Sequence, residues 1–311
     1  MSTDTASDTF SSRRAGHRLR GNDLAFTVVI TIICAAVLFT TLYPLYFVLI
    51  ASISDPTAVS TGKVSVLPKN ISFFGYQQIF EDSRIWTGYR NTLIYSVVGT
   101  ALNLAVTLPA AYALSRREFR PRRPLMLMFA FTMFFSGGLI PTYLLYKDLG
   151  LLDNWLVFIL PSALNVFNLI IGRAFFENSL PEELFEAAMI DGVDYFRFFT
   201  TIALPLSKAL ISVIGLYYLV QHWNDFFTGL IFVRDYDKQP LQIVLRDILL
   251  SNQAFSGGAG GAGGSGGAYG QRYADQIKYG VIIVSTLPVI ILYPFLQKYF
   301  EKGVLIGSVK G

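Results

Sequence analysis

Long stretches of the chain carry no Asp, Glu, Lys or Arg. Five of them, residues 24–54, 91–115, 124–146, 154–172 and 279–297, approach or exceed the length of a membrane-crossing helix, about 20 mostly apolar residues. A sixth, 209–233, is interrupted only by Asp225. Many are rich in Val, Ile and Phe, yet none alternates with a period of two, and a barrel of six segments is not viable. The pattern therefore predicts an all-α integral membrane protein. Its six spans are expected at about 24–52, 91–115, 124–146, 154–172, 206–233 and 279–298, within a membrane domain 24–300. A basic tail, 1–23, and a short tail, 301–311, flank it.

Charge placement sets the expected orientation. Arg13, Arg14, Arg18 and Arg20 lie before the first span, and Arg116, Arg117, Arg120, Arg122 and Arg123 lie in the second short loop. Arg173, Arg197 and Lys208 belong to the fourth loop, and Lys298, Lys302 and Lys310 follow the last span. With six spans all four clusters fall on one side, which the positive-inside rule makes the cytoplasm. Both termini are expected there. The first apolar run exceeds a signal-peptide core and no small-residue cleavage site follows it, so it reads as a retained helix.

Composition agrees: 53% of the 311 residues are hydrophobic and 15% are charged, against about 25% charged in an ordinary soluble domain. Disordered chains, disulfide scaffolds and ordinary soluble domains are excluded. The lone Cys34 cannot form an internal disulfide and reads as a small apolar residue.

Two connecting segments stand out. The stretch 55–90 holds Pro56, Gly62, Pro68 and the aromatic group Phe73, Phe74 and Tyr76. It suits either a short amphipathic helix on the membrane surface or an interfacial aromatic belt. The Gly-rich stretch, 256–271, is a flexible coil by composition and lacks the Lys-Ser/Thr pair of a phosphate-binding loop. It reads as an outward-facing spacer; an engineered linker is the less favoured alternative.

The fourth loop, 178–205, has a structure of its own. Ser179 as N-cap, Pro181 in the first turn and Glu182 at N3 mark a helix start. Glu183 adds favourable charge near the helix N-terminus. Glu186, Ala187 and Ala188 continue the helix, and Asp191-Gly192 supplies a left-handed stop. A second short helix is expected near 195–201, bounded by Pro205. The result is a rigid helix–turn–helix whose small residues let a partner approach.

These residues carry a resemblance. Glu186-Ala187-Ala188, three residues, Gly192, nine residues, Ile202, one residue and Leu204-Pro205 resemble the EAA signature of ABC-importer membrane subunits at every defined position. Phe134 to Tyr143, with the sequence FFSGGLIPTY, is similar to a motif of the carbohydrate-uptake branch that handles oligo- and polysaccharides. Asn91-Thr92-Leu93, Ala110 to Ser115 (AAYALS) and Trp223-Asn224-Asp225-Phe226-Phe227 fit the same branch. The resemblance implies a type I ABC-importer permease fold with a cytoplasmic coupling helix between helices 4 and 5. Glu186, Ala187, Ala188, Asp191 and Gly192 would contact the ATPase, Glu186 through its charge. It further implies a second homologous permease chain, two ATPase subunits, an extracytoplasmic solute-binding protein and a carbohydrate substrate, in a bacterial cytoplasmic membrane.

No GxxxxGK[ST], HExxH or Cys/His cluster is present, so the chain is not expected to be an enzyme. It is expected to bind no cofactor and no nucleic acid; ATP and Mg2+ would sit in the partner ATPases. Sugars are held by hydrogen bonds and aromatic stacking. The substrate-path candidates are Asn165 and Asn168 in span four and Tyr217, Tyr218, Gln221, Trp223 and Asn224 in span five. Tyr217, Gln221 and Asn224 share one helical face. The same residues would equally serve to tie helices together. His222 is expected to pack or lie at the interface, and Asp225 to reach the outer surface. A stand-alone secondary transporter is the rival class, and an ABC permease for a non-sugar solute is the rival within the class. Nearly charge-free spans without an evident repeat disfavour the secondary transporter.

Overall fold

The computed structural model describes residues 21–257, 276–291 and 294, and every regular element among them is helical. The basic tail through Arg20, most of the glycine tract, the end of the last span and the 301–311 tail lie outside the described residues. The chain divides into two units, 1–48 and 49–311.

The described part of the first unit belongs to α1 (Gly21–Ser52). Its apolar run of 29 residues, Leu24–Ser52, extends about 44 Å at 1.5 Å per residue, enough to cross a bilayer. Leu24, Phe26, Ile32, Val37, Phe39 and Leu45 are exposed on several faces, as suits a helix solvated by lipid or other chains. Thr31, Thr40 and Thr41 donate their hydroxyls to carbonyls one turn back, at 2.7–2.8 Å, which leaves no hydroxyl unpaired in an apolar surround.

The second unit opens with α2 (Pro56–Ser60), capped by Asp55 through the amides of Thr57 and Ala58 at 2.9 and 3.1 Å. α3 (Phe74–Glu81) takes up the Phe74–Tyr76 aromatics as a short helix. α4 (Ser83–Ser115) is the central element, with α7, α11 and α13 packed on it. It begins eight residues before the apolar stretch because Asp82 caps it, accepting the Arg84 amide at 2.9 Å.

The third apolar stretch is not a straight span. α5 (Arg122–Phe134) and α6 (Leu139–Asp148) meet at 114°. Gly138 at the break has φ +85°, a conformation that glycine adopts without cost. The fourth stretch also differs from a single helix. It holds a 3-10 turn (Trp155–Phe158), an irregular segment with Pro161, and then α7 (Val166–Ser179), capped by Asn165. Proline and an N-cap residue break a run that hydropathy alone reads as continuous.

α8 (Glu182–Ile190) and α9 (Tyr195–Phe198) follow, continued by a π turn (Phe199–Ala203) and α10 (Leu204–Leu206). The chain then bends by 83° into α11 (Lys208–Trp223). The fifth span is broken again before α12 (Phe227–Phe232). α13 (Leu241–Gly257) occupies what the sequence presents as outer loop. Its Leu241, Val244, Leu245 and Ile248 are buried at helical spacing, so it packs by one apolar stripe. α14 (Gln276–Ile291) is a shorter apolar helix. Among the described residues two helices, Leu24–Ser52 and Ser83–Ser115, are long and apolar enough to span singly, and the two bent pairs raise that to as many as four.

Candidate functional site

Two regions of the second unit hold the residues that the sequence singles out. The first is the α8–α9 hairpin at the Ser115 end of α4. α7 runs unbroken to Ser179, so Ser179 is not the cap of α8. Pro181 holds that position and makes no side-chain bond. Glu182 and Glu183 occupy the first turn instead, where the helix dipole favours acids. At the far end the Gly192 amide donates to Met189 O and the Val193 amide to Ala188 O, at 3.1 and 3.0 Å. With Gly192 at φ +75° this is a Schellman closure. Asp194 then caps α9 through the Arg197 amide at 2.7 Å.

The hairpin is seated by its inner face. Phe185 and Ala188 are buried with Tyr112, Phe176, Phe198 and Phe199. Phe185 stacks edge-on against Phe198 at 5.2 Å, and the Arg116 guanidinium lies over the Tyr112 and Phe185 rings at 4.8 and 5.5 Å. Ala188 therefore packs into the chain's own core and is not free to meet a partner. Arg117 approaches Glu182 at 3.6 Å, and Glu177 meets Arg173 at 2.8 Å and Arg122 at 3.9 Å. The second short loop thus lies against the start of α8.

The outer face is open. Glu186, Ala187, Asp191 and Gly192 are exposed, and no heavy atom lies within 4 Å of a Cβ placed at Gly192. Beside them Ile190 is 86% exposed and Phe196 75% exposed. The signature names neither. Both are large apolar side chains held outward on the hairpin, and the helical spacing of Glu186 and Ile190 could have flagged Ile190.

The second region is a cavity of about 510 Å³ between the segment before α7 and the end of α11. Tyr146, Phe158, Asn165, Gln221, Asn224 and Asp225 line it, with Ser162 and Thr228 among its other polar walls. Asn165 Oδ1 accepts the Phe167 and Asn168 amides at 2.9 and 3.3 Å, which caps α7. Asn224 Nδ2 donates to Val220 O at 2.9 Å, and Asp225 Oδ1 accepts the Thr228 amide at 3.1 Å. Gln221 is exposed.

Of the seven path candidates, the cavity brings together Asn165, Gln221 and Asn224. Tyr217 is exposed but outside the lining. Asn168, Tyr218 and Trp223 are buried. The Tyr218 hydroxyl lies 2.7 Å from Thr107 Oγ1 and accepts the Asn165 amide at 2.9 Å. Trp223 Nε1 donates to Ser285 O at 3.1 Å. His222 is buried, with Nε2 2.7 Å from Asn103 Oδ1, and Asn103 Nδ2 donates to Ser162 O. These side chains position the cavity wall from behind. Asp225, Thr228, Ser162 and Tyr146 join the site beyond the sequence candidates. The signal for two of them was legible: Gln221, Asn224, Asp225 and Thr228 fall at i, i+3, i+4 and i+7.

Residues 85–306 match the family described as binding-protein-dependent transport system inner membrane component. The chain belongs to this family. Its members are transport permeases of the membrane. The chain is 40% identical over 268 residues to the polygalacturonan/rhamnogalacturonan transport system permease protein YtcP of Bacillus subtilis, covering 86% of this chain and 92% of that one. It is 41% identical over 272 residues to protein LplC of the same organism, covering 87% and 90%. Among solved structures it is similar to a chain of a bacterial ABC transporter involved in the import of the acidic polysaccharide alginate. That likeness has a TM-score of 0.80 at 33% identity, over 90% of this chain and 98% of the other. An all-helical permease of a binding-protein-dependent system is thereby established.

Proposed function

We propose that this chain is one of two permease chains of an ABC importer for carbohydrate, working with separate ATPase subunits and an extracytoplasmic sugar-binding protein. The observation that carries the reading is its likeness, over about nine-tenths of its length, to permeases named for polysaccharide transport. The polar cavity fits it: amides, hydroxyls and one carboxylate beside aromatic rings are the groups that hold sugars.

In this reading α1, α4, the bent pair α5–α6, the segment from Trp155 through α7, the pair α9–α11 and α14 make six spans in a bacterial cytoplasmic membrane. The arginine-rich loop and the α8–α9 hairpin lie together on the cytoplasmic side, a pairing that the Arg117–Glu182 contact supports. ATP and Mg2+ belong to the ATPase subunits. Closure of their dimer would pull on the outer face of α8, at Glu186, Ala187, Ile190, Asp191 and Gly192. The buried inner face would pass that movement to α4, α7 and α11. Substrate access then shifts between two states, each biased by nucleotide.

The test is reassembly of the chain with its second permease, ATPase and binding protein in proteoliposomes. The expected result is sugar uptake that requires ATP and binding protein together. Uptake by this chain alone, as a homodimer without ATP, would overturn the reading in favour of a secondary carrier.

A further inference from the structure

Resting on the importer reading, we propose that the cavity between Asn165 and Asp225 is a subsite for a neutral sugar ring and rejects uronate rings. The chemistry of the lining carries this. Its polar side chains are tyrosine and serine or threonine hydroxyls, the amides of Asn165, Gln221 and Asn224, and the carboxyl group of Asp225. No Lys, Arg or His lines it among the described residues.

A sugar hydroxyl both donates and accepts. The Asn165 amide nitrogen, whose own oxygen is occupied capping α7, donates to a ring oxygen or hydroxyl. Asn224 has the opposite bias: its nitrogen is engaged by Val220 O, so its oxygen accepts. Gln221, exposed, offers both functions. The carboxyl group of Asp225, fixed by Thr228, sits where it takes hydroxyl protons. Tyr146 and Phe232, with ring centroids 4.8 Å apart, form an apolar wall for the C–H face of a ring.

A uronate fits this lining poorly. Its carboxylate only accepts hydrogen bonds and needs a cation or a set of donors. Here it would meet an acid and no base, in a half-open cavity beside the partly buried Asp225, where like charges repel. Specificity comes as much from such a clash as from the attractive contacts. Two relatives are named for acidic polymers, polygalacturonan and alginate. On this proposal the cargo of this chain differs in charge from the polymers those relatives are named for.

The experiment uses the reassembled importer in proteoliposomes, with each saccharide preloaded on the binding protein. The probes are maltotriose and xylotriose as neutral chains and trigalacturonate as the acidic one. Neutral uptake is expected to exceed uronate uptake by about tenfold or more. Asp225→Asn is expected to narrow that ratio several-fold. Gln221→Arg is expected to raise uronate uptake against neutral uptake, compared at equal amounts of assembled complex because an arginine within a span carries its own cost. The inference is overturned if wild type carries trigalacturonate as well as the neutral chains, if the binding protein loads only uronates, or if neither variant moves the ratio. A complex that assembles, hydrolyses ATP and carries no saccharide at all overturns the importer reading itself.

Discussion

The α8–α9 hairpin and the polar cavity solve opposite problems with opposite residues. The hairpin buries aromatics inward and leaves small, acidic and apolar groups outward. Its shape is fixed by packing: Phe185, Phe198, Phe199 and Tyr112 interlock, and a Schellman closure ends α8. The cavity is fixed by hydrogen bonds. Tyr218, Asn103 and His222 stand behind its wall, while Gln221 and Asn224 keep functions turned outward. A packed hairpin transmits displacement because close-packed side chains do not deform continuously. A wall of amides and hydroxyls can meet a ring in several orientations. The division suits the proposed importer, in which force would enter at one end and cargo at the other.

The comparison breaks first where packing is removed. Phe185→Ala is expected to cost about 3–5 kcal/mol of stability by cavity formation, read as a lower midpoint of thermal unfolding in detergent. An unchanged midpoint would show that the hairpin is not held by its core. Next in size comes the outer face. Ile190→Asp with Phe196→Asp should leave the midpoint within about 1 kcal/mol, since both side chains are exposed. The same double variant should lower ATP-driven uptake and ATPase co-purification by about tenfold or more, as for anchor residues of an interface. Normal co-purification would move the coupling surface elsewhere. At the cavity the effects should be smaller and confined to cargo. Gln221→Ala or Asn224→Ala is expected to lower uptake about two- to tenfold, the worth of one hydrogen bond, with ATPase co-purification unchanged.

Much of the hairpin was legible in the sequence because local rules govern it. Acids in the first turn, Asp191-Gly192 as the stop and a helix beginning at Tyr195 all follow from short-range preferences. The cap was misread because Ser179 satisfies the capping pattern while α7 already extends to it. The inward turn of Ala188 follows from its three-residue spacing from Phe185, yet a signature of small residues does not separate inner from outer face. The first two spans were legible as continuous helices, whereas the third, fourth and fifth were legible as apolar mass and not as the broken helices they form. Gly138, Pro161 and Asn165 interrupt runs that carry no charge, so a charge-free criterion passes over them. α13 was missed for the converse reason: Arg246 and Asp247 sit inside an amphipathic stripe. The cavity depended on which of several polar residues in span five turn inward, and that is set by tertiary contacts from α4 and the segment before α7.

The weakest expected effect concerns the edge of the cavity region, where a titratable group rather than an amide makes the clamp. Asp153, exposed and at φ +53°, accepts the amides of Arg234 and Asp235 and donates its own amide to Phe232 O at 2.9 Å. It thus joins the turn before Phe158 to the chain after α12. Those backbone donors hold the Asp153 carboxyl below its ordinary value of 3.8. A lowered value means that the unfolded chain binds the proton more readily. The clamp is therefore fully present above about pH 4 and is lost as pH falls through the folded value. Asp153→Asn keeps an acceptor and tolerates the positive φ, but removes the charge. Hydrogen exchange at the Arg234 and Asp235 amides should show roughly threefold greater protection in wild type than in Asp153→Asn at pH 7. The two should converge once acid has neutralised the aspartate. A difference that persists at low pH would assign the clamp to backbone geometry alone, and the cavity edge would then be held without help from the Asp153 charge.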